Sequence, residues 1–218
     1  MALTPLNSDV VVIGAGTSGL SAAKSLKDIG YSVIVIEAAN HIGGRCVTDN
    51  SIFDIPFDIG GSWLHSAVTN PLAEIAVQNN FKLHKKNWSN TWVHSNGVNL
   101  SSKQTKEYSQ YIEDMWQNIN KAGKNKKDQS IEKSLPEAKW RDIARNQIAP
   151  MMGADPDVCS AHDVFHFTNT EGDWLVENGL GAFIKYLYKD IEVITNCAAK
   201  KIDYSSNGVK VETPDGVI

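Results

Sequence analysis

One short stretch near the start of the chain does most to limit what it can fold into. The apolar run Val10-Val11-Val12-Ile13 leads into Gly14-Ala15-Gly16-Thr17-Ser18-Gly19, and Leu20, Ala23, Leu26 and Ile29 then recur at helical spacing. A G-x-G-x-x-G spacing is weak by itself; between a buried strand and a helix it has a mechanism. The pattern predicts a strand over Asp9–Ile13, a helix closed by Gly30, and a second strand over Tyr31–Glu37, one right-handed βαβ unit. Gly14 permits the tight turn, Gly16 lets a pyrophosphate approach the backbone, and Gly19 lets the helix lie close on the sheet. The helix start offers free amides and a positive dipole end to the phosphates. Glu37, 23 residues after Gly14, is placed to accept hydrogen bonds from a ribose, and its charge disfavours a ribose phosphate, hence NADP.

The rest of the composition narrows the setting. A net charge of −4 on 218 residues argues against a nucleic-acid partner. The longest early apolar run is far below the roughly 20 residues that span a bilayer, and residues 1–8 carry no basic, apolar leader. A cytoplasmic chain with no membrane partner is expected. Cys46, Cys159 and Cys197 are too scattered for a disulfide framework and read as free thiols. His162, Asp163 and His166 share a short stretch, but their spacing fits no metal pattern, so no metal is expected.

Beyond the first unit, Asn70-Pro71 opens a helix to about Asn80, and residues 91–94 and 98–100 flank a turn at Ser95-Asn96-Gly97. Lys103–Lys121 reads as a long helix, 121–128 as a basic surface loop, and Pro136 as the start of a helix through Gln147. Leu180–Tyr188 reads as a helix, and Ile191–Thr195, Ala199–Tyr204 and Val209–Thr213 as strands with turns at Asn207-Gly208 and Asp215-Gly216. This gives three segments: 1–70 as a nucleotide-binding core, 71–188 as an inserted, mainly helical substrate region, and 189–218 as strands returning to the first domain. Val217-Ile218 begins a return strand, so the fold is expected to be incomplete at its carboxyl end.

Two further motifs choose among dinucleotides. Gly43-Gly44 is suited to form a backbone anion nest, with Arg45 reaching the pyrophosphate through paired donors. Phe57-Asp58-Ile59-Gly60-Gly61-Ser62-Trp63-Leu64-His65 sets small residues before an aromatic and a histidine, as for a backbone lying against a flat ligand. With the first glycine loop, Asn70-Pro71-Leu72 and Asp173-Trp174-Leu175-Val176-Glu177-Asn178-Gly179-Leu180-Gly181, these runs resemble the flavin-containing amine oxidases over nearly the whole chain. That family includes monoamine oxidases, polyamine oxidases and amine-oxidase-type histone demethylases. Gly-Ser-Trp-Leu-His followed by Asn-Pro-Leu is most similar to the polyamine oxidase branch and its bacterial relatives.

The resemblance implies an α/β fold with a doubly wound, Rossmann-type FAD domain carrying an inserted helical and β substrate region. It implies FAD as cofactor, held by Gly14, Ala15, Gly16, Ser18 and Gly19, with Glu37 on the ribose, Arg45 on the pyrophosphate, Gly60, Gly61, Ser62 and Trp63 along the flavin, and the Ala199 backbone at the adenine. Ala39 and His41 stand where the family commonly has arginines, which leaves phosphate neutralisation to Arg45. His65 has two readings: a residue beside the amine channel, or a core histidine bonded to backbone. The implied reaction is oxidation of an amine to an imine, with oxygen as acceptor and hydrogen peroxide released. The family's lysine near the reactive flavin nitrogen, and its aromatic cage, come from the carboxyl-terminal half and have no counterpart here, so no catalytic residue is assigned. The chain is therefore expected to be a truncated or split product that needs a complementary carboxyl-terminal chain and does not oxidise amines alone. The alternatives are a flavin-binding chain without catalysis, or an oxidase of the carotenoid desaturase or protoporphyrinogen oxidase type.

Overall fold

The computed structural model describes residues 6–85, 94, 95, 97–167, 171–205 and 208–218. Strand β1 (Val10–Ile13) runs parallel to β2 (Val33–Ile36), paired from Val10↔Val33 to Ile13↔Ile36. Eight β-branched residues in two tetrads favour extended backbone. Helix α1 (Thr17–Asp28) joins the two strands, and its Leu20 and Ala23 are fully buried. The chain continues through β3 (Thr48–Asp49) and β4 (Phe57–Asp58), paired antiparallel, then β5 (Trp63–Leu64), α2 (Pro71–Gln78) and β6 (Leu83–Lys85). Asn70 starts α2: its Oδ1 accepts from the Leu72 amide at 3.0 Å, while Pro71 has no amide to satisfy.

The chain forms two compact units. One joins Met1–Lys86 to Thr170–Ile218, and the other is Asn87–Asn169. These limits differ from the 71–188 insertion read from sequence, because α2, β6 and the segment after 170 all pack within the first unit.

The second unit contains a short antiparallel pair, β7 (His94–Ser95) with β8 (Val98–Asn99), and helices α3 (Ser102–Gly123), α4 (Arg141–Met152) and α5 (Ala161–His166). Residues 91–93 and Asn96 of the expected hairpin lie outside the described residues. Ser101 and Gln104 close a capping box that starts α3. One stripe of that helix, Tyr111, Met115 and Ile119, is buried with Ile131, Leu135, Trp140, Ala144 and Ile148. Helix α4 starts at Arg141, five residues later than its sequence suggested. Leu135, forced extended by the following proline, has ψ 126°, and the Arg141 guanidinium donates to the Leu135 carbonyl at 2.8 Å.

Returning to the first unit, β9 (Trp174–Val176) lies between β5 and β6, antiparallel to both. Helix α6 (Leu180–Leu187) follows, and β10 (Val193–Ile194) adds parallel to the other side of β2. Then β11 (Lys201–Asp203), β12 (Lys210–Thr213) and β13 (Gly216–Val217) form an antiparallel meander; Asn207, expected in its first turn, is outside the described residues. Leu20, Val35, Leu64, Ala76, Phe183 and Ile184 are among the buried residues of this unit's core. The architecture is α/β, and no helix among the described residues is long and apolar enough to cross a membrane.

Candidate functional site

The parallel register of β1 and β2 decides where the first groups stand. Ile13 is opposite Ile36, so Gly14 and Glu37 leave the sheet side by side, and the Gly14 amide donates to the Ile36 carbonyl at 2.8 Å. One Glu37 oxygen accepts from the Ala15 amide at 2.7 Å and the other from the Ala39 amide at 2.8 Å. The Ala39 hydrogen bond, with that of Ala15 and the nearby His41, holds the Glu37 carboxyl below the usual carboxylate range, against the opposing effect of burial. An ionised carboxylate has about four lone-pair sites, so after two amides it still accepts from neighbouring hydroxyls.

Gly19 brings α1 onto this loop: a Cβ there would overlap the Gly14 carbonyl oxygen. A Cβ on Gly14 would meet nothing within 4 Å, so the loop faces open space. No side chain caps α1, which leaves its first amides available to an anion. Open space over Gly14, an uncapped helix start and an ionised acceptor at the neighbouring strand end together fit the pyrophosphate and ribose of a dinucleotide.

The second glycine pair docks on the first loop. Gly16 and Gly43 form a parallel bridge, the Gly43 amide donates to the Ala15 carbonyl at 2.8 Å, and a Cβ on Gly44 would stand 3.1 Å from the Gly16 Cα. The Gly43 amide is thus committed within the protein and does not serve an anion nest as the sequence suggested. The turn closes from the Cys46 amide to the Gly43 carbonyl at 3.0 Å and sets out Arg45, which is exposed and has no side-chain partner among the described residues. Its backbone carries the next segment: the Gly61 amide donates to the Arg45 carbonyl at 2.8 Å, and a Cβ on Gly60 would overlap that oxygen. Gly61 differs, since a Cβ there would meet nothing nearer than the Cys46 sulfur at 3.8 Å. Gly14, Ala15, Gly16, Glu37, Arg45 and Gly60 therefore form one connected backbone constellation. Ala199 stands apart from it, packed on Ile36, Cys197 and Val211, although the Cys197 amide donates to the Glu37 carbonyl at 2.8 Å.

Ser62 and Trp63 line a cleft of about 450 Å³ with Phe57, His84 and Glu177. Beyond it, His65 is an exposed side chain rather than a core histidine. Its Nδ1 lies 2.8 Å from Asp173 Oδ1, and the Asn70 amide nitrogen donates to its carbonyl at 3.0 Å. Two residues that sequence reasoning missed organise this region. Asp58 accepts from the amides of Leu180 and Gly181 at 2.8 and 3.2 Å and from the Thr48 hydroxyl. Asp173 holds His65. Neither is marked by local pattern, since their partners lie 122 and 108 residues away. Among the described residues no group of His, Cys, Asp and Glu forms a metal site, and Cys46, Cys159 and Cys197 are free thiols.

Residues 17–157 match the family described as flavin containing amine oxidoreductase. Polyamine oxidase 2 of Arabidopsis thaliana is 29% identical over 238 residues, and polyamine oxidase 4 of Oryza sativa subsp. japonica is 27% identical over 235; each alignment covers 95% of this chain and 48% of the relative. The chain thus spans about half the length of these curated relatives. A structure of wild-type putrescine oxidase bound to putrescine superposes with a TM-score of 0.69 at 21% identity, covering 98% of this chain and 56% of the other. That likeness shows a shared fold.

Proposed function

The chain belongs to the flavin containing amine oxidoreductase family, and from that premise we propose that it binds FAD and takes part in the oxidation of an amine to an imine, with oxygen as acceptor and hydrogen peroxide as product. The observation that carries the reading is Glu37, an ionised carboxylate bonded to the Ala15 amide of the glycine loop and still able to accept from a ribose. In this reading Gly14, Ala15, Gly16, Ser18 and Gly19 hold the pyrophosphate, Arg45 neutralises it, Gly61, Ser62 and Trp63 lie along the flavin, and the Ala199 backbone meets the adenine. Gly60 acts by packing on Arg45. FAD supplies the two-electron acceptor for C–N oxidation. The chain's residues bind and orient it, and His65 borders the channel by which the amine arrives. The relatives named polyamine oxidase support an amine substrate.

The test is to purify the chain together with a complementary carboxyl-terminal chain, assay peroxide with a panel of polyamines and monoamines, and then denature the complex and identify the released chromophore. FAD released free of the polypeptide, with amine-dependent peroxide, is expected. NAD in its place, or peroxide independent of amine, would refute the reading.

A further inference from the structure

We propose that Asp173 is a positioning residue for His65, holding the neutral imidazole as its Nδ1–H tautomer and turning the Nε2 lone pair outward to accept from an N–H of the amine. This rests on the reading that His65 borders the amine's path. The pairing comes from the sheet. β5 and β9 are joined at Trp63↔Leu175 and Leu64↔Trp174, and one more step of that register sets His65 opposite Asp173. Beyond them the chain turns, with Ser66 at φ 53°, and the Ala67 amide still reaches across to the Gly172 carbonyl at 2.8 Å. Asn70 binds the His65 carbonyl while its Oδ1 caps α2, so the histidine backbone is tied to a helix start. On the other strand, Gly172 has φ +98°, and a Cβ there would lie 2.9 Å from the Trp174 indole nitrogen. Both backbones are therefore fixed before the side chains meet.

The chemistry of the pair sets its direction. An ionised carboxylate only accepts hydrogen bonds, so a ring nitrogen 2.8 Å from Asp173 Oδ1 carries the hydrogen. In a neutral ring the lone pair then sits on Nε2. The Asp173 side chain is 29% exposed and that of His65 is 67% exposed, so the carboxylate stands behind the ring and the far nitrogen faces out. Nε2 has no partner among the described residues. An N–H of an arriving amine donates to that lone pair, and the carboxylate behind the ring strengthens Nε2 as an acceptor.

The experiment is two-bond 1H–15N spectroscopy of the flavin-loaded, 15N-histidine-labelled protein at a pH where the ring is neutral. The expected spectrum has His65 protonated at Nδ1, and Asp173→Ala shifts the population toward Nε2–H. Titration with 1,4-diaminobutane should move the Nε2 resonance of the wild type, with an apparent Kd about tenfold weaker in Asp173→Ala at unchanged flavin content. A wild-type ring protonated at Nε2, or a Nε2 resonance indifferent to the diamine, overturns the proposal. Amine-dependent peroxide, measured separately, tests the oxidase reading, so either idea can fail without the other.

Discussion

Asp58 and Leu180 meet at 2.8 Å, the carboxylate of the first accepting the backbone amide of the second. With its bond to the Gly181 amide and that of Thr48 Oγ1 to the Ala182 amide at 2.8 Å, it satisfies the start of α6 from the β3–β4 pair, 122 and 134 residues earlier. Gly179 supplies no side-chain cap of its own, so the helix depends on Asp58 for what a local N-cap otherwise provides. It also fixes the backbone just before Gly60 and Gly61.

Asp58→Ala is therefore expected to lower stability by about 1–3 kcal/mol, the range for leaving buried donors unsatisfied. Asp58→Asn, which keeps an acceptor oxygen, should lose less. Urea unfolding of the three proteins measures this. Equal stability of the alanine variant and the wild type would mean that water replaces the carboxylate at no cost.

The two glycines after Ile59 should separate packing from ligand contact. Gly60→Ala forces a Cβ onto the Arg45 carbonyl and should destabilise the protein by about 1–3 kcal/mol, as overpacking does. Gly61→Ala has room and should leave the unfolding midpoint of the flavin-free protein unchanged while weakening FAD binding. Unfolding curves without cofactor and FAD titrations distinguish the two; unchanged affinity in Gly61→Ala would remove that residue from the flavin face.

How much of this was legible depends on how locally each feature is encoded. The βαβ unit was readable because eight β-branched residues, a glycine loop and a helical stripe occupy consecutive positions, and the α2 start because Asn70-Pro71 carries its cap in two residues. Glu37 was placed by strand length alone. The Gly43 amide was misassigned because nothing in Gly43-Gly44 states that Ala15 will claim it. Pro136 marks a helix start by pattern, but Trp140 is buried before α4 begins at Arg141, a packing no local pattern states. Asp58 and Asp173 were invisible as partners: two-residue ladders such as β5 and β9 leave no periodicity, and only the folded register brings their ends together.

Glu37 also gives a pH signature. Its folded carboxyl is held below the ordinary value by the Ala39 and Ala15 amides. Between that lowered value and the unfolded one, near about 4.3, the unfolded chain binds more protons, so stability rises with pH. The contribution is fully present above the unfolded value and is lost as pH falls through the folded one. Melting temperatures measured from pH 3 to 7 should fall less steeply at the acid end in Glu37→Gln than in the wild type. Parallel curves would show that the carboxylate does not titrate as described.

The central claim is that the glycine loop and Glu37 form an FAD site, and flavin titration of wild type against Glu37→Gln tests it most directly. Losing a charge-assisted hydrogen bond costs on the order of 1.5–3 kcal/mol, so FAD should bind the variant roughly ten- to a hundredfold more weakly, and NADP should not compete in the wild type. Equal FAD affinity in the two proteins, or displacement of FAD by NADP, would contradict the account.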